Sequence, residues 1–76
     1  MLEEIGVLIL NITDWTANHY GSRAHLRIGQ WDAADDSWYA TVCNDRGDAI
    51  VGEKSYGAGT VLAALTDCWQ EIEALK

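Results

Sequence analysis

From Leu2 to Tyr20 the apolar residues Ile5, Leu8, Ile9, Ile12 and Trp15 recur three or four positions apart, while Glu4, Asn11, Asp14 and Asn18 fall on the opposite side. That is the period of an amphipathic helix. The same segment carries Val7 and Thr13 beside its isoleucines, a β-branched content that suits a strand, so a strand is the alternative reading. Helix is preferred because Glu3 and Glu4 suit a helix N-terminus, His19 suits a last turn, and Gly21 stands where a left-handed cap residue belongs.

Beyond Ala24 the period falls to two. The runs "AHLRIGQW", "SWYATVCN" and "DAIVGEKSY" are separated by "DAADD" and "NDRG" and read as a three-stranded antiparallel meander. With Arg46 and Gly47 as the second loop, Val42 faces Val51, Ala40 faces Glu53, Cys43 faces Ile50 and Thr41 faces Gly52. One sheet face then carries Leu26, Ile28, Trp38, Ala40, Val42, Ala49 and Val51 toward the helices. The other carries His25, Arg27, Trp31, Tyr39, Thr41, Cys43, Ile50 and Tyr56, an unusually aromatic set for a face without helices. In the last segment Val61, Leu65, Cys68, Trp69, Ile72 and Leu75 form an apolar stripe opposite Asp67, Gln70, Glu71 and Glu73, with Thr60 as N-cap. The expected fold is α+β in the order α-β-β-β-α, with the meander packed on the helices (β-β-β-β-α if the first segment is a strand).

A chain of 76 residues has surface enough to bury one core, so residues 1–76 form a single domain. Four tryptophans and no proline fit a folded chain. The net charge of −7, from 12 carboxylates against 5 lysines and arginines, repels a nucleic-acid backbone and favours a basic partner. The run "IGVLILNI" is too short to span a membrane and follows two glutamates where a signal peptide would be positive. Cys43 and Cys68 lack metal-site or redox spacing, which suits two thiols in a reducing cytoplasm.

The candidate chemistry is sparse. Gly57-Ala58-Gly59-Thr60 could present backbone N–H groups to a phosphate, but it has no third glycine of a dinucleotide fingerprint, no following lysine and no adjacent cation. It reads as a strand-to-helix turn. Asp32, Asp35 and Asp36 crowd one hairpin without the alternation or closing glutamate of a calcium loop. His19 and His25 pair with neither cysteine at a zinc interval, and a Cys43–His25 dyad is weaker than the reading of Cys43 as structural. No enzyme, cofactor or metal is expected.

The element order is similar to that of the double-stranded-RNA-binding domain, whose last helix begins with a basic cluster; the matching stretch here, "GAGTVLAAL", contains no cation. The half of the chain from Trp38 to Ile72 resembles HicB-type antitoxin domains in its strand, glycine turn, strand, Gly-x-Thr and Ala-Leu helix, which implies a protein-binding role. By size, acidity and absence of catalytic motifs the chain also resembles phage anti-defence inhibitors such as anti-CRISPR proteins, which implies a non-enzymatic inhibitor in the host cytoplasm that docks on a basic, nucleic-acid-handling partner. The binding residues expected for that role are Asp32, Asp35, Asp36, Asp45 and Asp48 for steering, and Trp31, Tyr39 and Tyr56 for affinity. Two alternatives stand beside it. One is a homodimeric accessory or antitoxin-like domain, and the other a single-stranded nucleic-acid binder that stacks bases on the aromatic face, with Arg27 and Lys54 alongside.

Overall fold

The computed structural model describes residues 2–32, 37–52 and 59–76, with the backbone alone at Trp31 and Asp32. Helix α1 spans Leu2–Tyr20, strands β1, β2 and β3 span Ala24–Asp32, Ser37–Asn44 and Ala49–Val51, and helix α2 spans Val61–Leu75. The fold is the expected α+β arrangement, and the helical reading of the first segment is the correct one. Glu53, Lys54, Tyr56, Gly57, Ala58, Asp35 and Asp36 lie outside the described residues, and with them the Ala40–Glu53 pairing.

The strands form one antiparallel sheet with β2 in the centre. Both helices cover the same face. Ile12 and Trp15 of α1 join Ala64, Leu65, Cys68 and Ile72 of α2 over Ala24, Ala40, Val42 and Val51 of the sheet, and Ile5, Leu8, Ile9, Leu26, Trp38 and Trp69 close the margins. The helical stripes of the sequence thus become the core, with two corrections. Leu75 is 64% exposed, because it lies in the last turn of α2 beyond the sheet. Ile28 is 37% exposed because β1 is an edge strand.

The helices run parallel. Their first turns line one groove, through Glu3, Glu4, Val7 and Leu8 with Leu62 and Thr66. Their last turns line another, through Asp14, Trp15, Asn18 and His19 with Trp69 and Lys76. Parallel dipoles lie positive end beside positive end, and Glu3 and Glu4 place carboxylates there while His19 and Lys76 place basic groups at the negative ends. At the start of α2 the Thr60 hydroxyl accepts from the Ala63 N–H at 3.1 Å, the cap expected from sequence.

Pairing between β1 and β2 keeps the predicted faces: Leu26 opposes Val42, Ile28 opposes Ala40, and Arg27 opposes Thr41. Between β2 and β3, Val42 opposes Val51 as expected, but Cys43 opposes Ala49 rather than Ile50. A bulge inserts the extra residue, which simple alternation along a strand does not anticipate, and Ile50, expected on the face without helices, packs against the helix-covered core instead. Thr41 and Gly52 form no Cα pair; Gly52 ends the strand with φ of 95°, pressed so close to the Ala40 carbonyl that a Cβ there would collide with it.

Leu65→Ala is expected to cost about 2–5 kcal/mol, because the side chain is fully buried. Gly52→Ala is expected to destabilise as well, through both the positive φ and the collision with Ala40. Urea unfolding followed by tryptophan fluorescence measures both; a Gly52→Ala variant as stable as the parent chain would contradict the geometry.

Candidate partner-binding surface

The turn between β2 and β3 holds the two best-defined acidic candidates. Asn44 Oδ1 accepts from the N–H of Arg46 at 2.9 Å and of Asp48 at 3.0 Å. The Gly47 N–H donates to the Asn44 carbonyl at 3.0 Å, and the Asn44 N–H donates to the Asp48 carbonyl at 2.9 Å. Gly47 sits at φ 85°, a conformation that glycine adopts without strain. Four hydrogen bonds on one asparagine therefore fix a turn from which Asp45 and Asp48 project, both exposed. The sequence showed the glycine; the anchoring role of Asn44 is an Asx-type turn visible only once the backbone is placed.

Asp32 lies elsewhere, and Asp35 and Asp36 fall outside the described residues. Asp32 pairs with Ser37 at the opposite end of β2 from Asn44, a separation of about 25 Å along the strand. Asp32 and the turn of Asp45 and Asp48 thus lie at opposite ends of the sheet, as the meander implies.

On the face without helices, Tyr39 lies across Gly29 on the neighbouring strand; a Cβ on Gly29 would come within 2.6 Å of its ring. The ring covers backbone that has no side chain of its own, and Tyr39 is half-buried as a result. Thr41 and Cys43 are buried to 0% and 3% exposure on this face, with Thr41 Oγ1 and Cys43 Sγ 3.3 Å apart. His25 and Arg27 are exposed beside them. Cys43 is therefore a packed thiol whose neighbour is a threonine hydroxyl, and Cys68 lies on the other side of the sheet in the helix-covered core. Both are free. The described residues contain no group of three metal-ligating side chains.

Among the described residues, Cys68 is the one group whose acidity is strongly displaced. Burial raises its thiol from an ordinary 9.0 to about 12, and the nearby Glu71 carboxylate adds to the rise. One oxygen of Glu71 is itself buried without a hydrogen-bond partner, an unfavourable placement for a carboxylate. The thiol stays protonated where a nucleophile would have to ionise.

Two features escaped the sequence reading. The first is that Val7 and Leu10 of α1 point outward, 55% and 63% exposed; they lie off the Ile5-Leu8-Ile12-Trp15 stripe, and their position could have been read from that offset. Val7 joins Glu3, Glu4 and Leu62 around an apolar groove of about 480 Å³. The second is the scarcity of ion pairs. Among the described residues Glu73–Lys76, at 3.4 Å, is the only one, so Glu3, Glu4, Asp14, Asp45 and Asp48 are exposed without cationic neighbours in bonding range.

No helix among the described residues is long and apolar enough to cross a membrane. No family model matches the chain, and no curated protein or solved structure matches it either.

The cysteine environment makes a direct prediction. Neither thiol should react with a disulfide reagent near pH 8 in the native state, and both should react on unfolding; a fast-reacting thiol in the folded protein would contradict their burial. Because the Cys68 thiol is raised in the fold, its contribution to stability is complete below pH 9 and should be lost as pH climbs toward 12. Comparing the pH dependence of unfolding with that of a Cys68→Ala variant isolates the effect.

Proposed function

We propose that this chain is a non-enzymatic binding protein that docks its acidic surface on a basic, nucleic-acid-handling protein and so blocks the partner's access to its own polyanion, in the manner of anti-CRISPR-like inhibitors. The observation that carries the reading is the uncompensated negative charge. A net charge of −7 is displayed with Glu73–Lys76 as the single ion pair among the described residues. Internal pairing would have spent that charge on the chain itself. Left open, it raises the rate of encounter with a positive surface and imposes a strong salt dependence on the complex.

The Asn44-anchored turn supports the same reading, since acids held in one geometry lose less entropy on binding than acids on a loose loop. The groove beside Glu3 and Glu4 adds apolar area next to negative charge, the combination needed to accept a basic side chain with a long aliphatic stem. Nothing in the described surface resembles a reaction centre: the two thiols are buried and the histidines have no partner suited to base catalysis.

The test is capture from nuclease-treated lysate of the source organism or its host at low and high salt, with mass spectrometry. Recovery of one basic nucleic-acid-handling protein or complex, released at high salt, is expected. The combined Asp45→Asn and Asp48→Asn change should slow association with that partner roughly tenfold at low salt and leave the fold intact, since neither side chain is buried. An association rate and salt dependence equal to those of the parent chain would remove this turn from the binding surface, and recovery of the protein alone would overturn the reading.

A further inference from the structure

Strand β1 is the long open edge of the sheet. It runs nine residues, from Ala24 to Asp32, and β2 is its only neighbour among the described residues. An exposed edge presents backbone donors and acceptors to any strand that can lie beside it, and natural domains usually protect such edges with charge, proline or a bulge. Here protection is partial: Arg27 is exposed and the register shifts between Gln30 and Asp32, but from Ala24 to Gln30 the strand has neither proline nor bulge, and Ile28 is 37% exposed on it.

The chain around this edge is also unlike the rest of the molecule. From Trp15 through Trp31 there is no aspartate or glutamate, although 12 are distributed over the other segments. The flank of α1 that borders β1 carries Ile9, Thr13 and Ala17, and between helix and strand these residues meet Leu26 and Ile28 in a groove of about 470 Å³ that no carboxylate among the described residues lines. Gly6 and Leu2 continue the same helical row toward the N-terminus, again without charge. A chain of net charge −7 repels its own copies over most of its surface, and this edge is where that repulsion is absent.

We infer that β1 is the seam of a symmetric homodimer, in which two copies pair their β1 strands antiparallel to make one six-stranded sheet. Antiparallel pairing of a strand with itself is two-fold symmetric by construction, so one edge supplies both halves of the contact. A register that centres on Ile28 brings even-numbered positions opposite even-numbered ones. The helix-covered faces of the two sheets then continue into each other, and the two α1 helices approach across the seam over Thr13 and Ala17, whose small side chains allow it. The same register sets Arg27 opposite Gly29 rather than opposite its own copy. Nine residues make a seam about 30 Å long; across a molecule 19 Å thick it covers on the order of 1,100 Å² in total, which reaches the range of specific interfaces. A copy of this chain is favoured over an unrelated strand because a partner as acidic as this one gains most from an edge without acids from Ala24 to Trp31, and in this register Asp32, the one acid of β1, falls opposite Ala24 rather than its own copy.

The proposal is tested by analytical ultracentrifugation of the full chain over a wide concentration range, together with the variants Ile28→Lys and Ala17→Glu. Both positions are partly or fully exposed, so the monomer should keep its circular dichroism and unfolding midpoint. The parent chain is expected to sediment as a dimer at high concentration, and each variant to weaken self-association about tenfold or more, since like charges would face each other across the axis. Leu75→Lys, a more exposed apolar site away from the seam, should leave the dimer unchanged. A parent chain that remains at 8.4 kDa at every concentration overturns the proposal. So does a dimer indifferent to both seam variants, which would place self-association elsewhere, including the face that carries Tyr39. Neither result depends on whether a basic partner is found.

Discussion

The burial of a single sheet face beneath two parallel helices is the constraint from which the other features of the molecule follow. Ile12, Leu65, Cys68 and Ile72 are completely removed from water against Ala40 and Val42. The sheet contributes small side chains at this contact and α2 contributes Ala64 and Cys68, while Trp15 is the one aromatic among the described buried members of the core. A domain of this size has one core to rely on, and here nearly every fully buried apolar side chain belongs to that one contact. The opposite face and both sheet edges are therefore relieved of a major share in the folding energy. They can carry features that serve association.

Charge is distributed by the same logic. Among the described residues the core takes no ion pair, and the surface pairs only Glu73 with Lys76, whose ammonium also lies 4.4 Å from the Trp69 ring centre. Exposed pairs of this kind contribute little to stability. The carboxylates consequently contribute mutual repulsion in the free protein and attraction only when something positive arrives. Such a surface is suited to association that is fast and sensitive to salt.

The helices and the meander were legible in the sequence because periods of 3.6 and 2 report which side of an element is buried. The first segment was the hard case. Its isoleucines suit either element locally, and the outcome was decided by the sheet, which needs cover along β1 as well as β2. The bulge at Cys43 and Ala49 was not legible, since it depends on how Asn44 anchors the turn rather than on any apolar pattern. The setting of the candidate residues was only partly legible. Asp45 and Asp48 could be placed near a glycine turn and Asp32 at the other end of the sheet, but the covering of Gly29 by Tyr39 is a property of register. A pattern of polar and apolar letters records burial well and says little about distance.

The parallel run of the two helices has a consequence for the chain ends. Leu2 begins α1 at the end of the molecule where α2 also begins, while Lys76 leaves at the end where both helices stop. The termini are thus separated by at least the length of α2, about 22 Å. Joining them in a circular permutant would require a linker laid along the outside of the helical layer. A fused domain at either end, by contrast, would extend from a pole of the molecule and leave the face of the sheet without helices unobstructed.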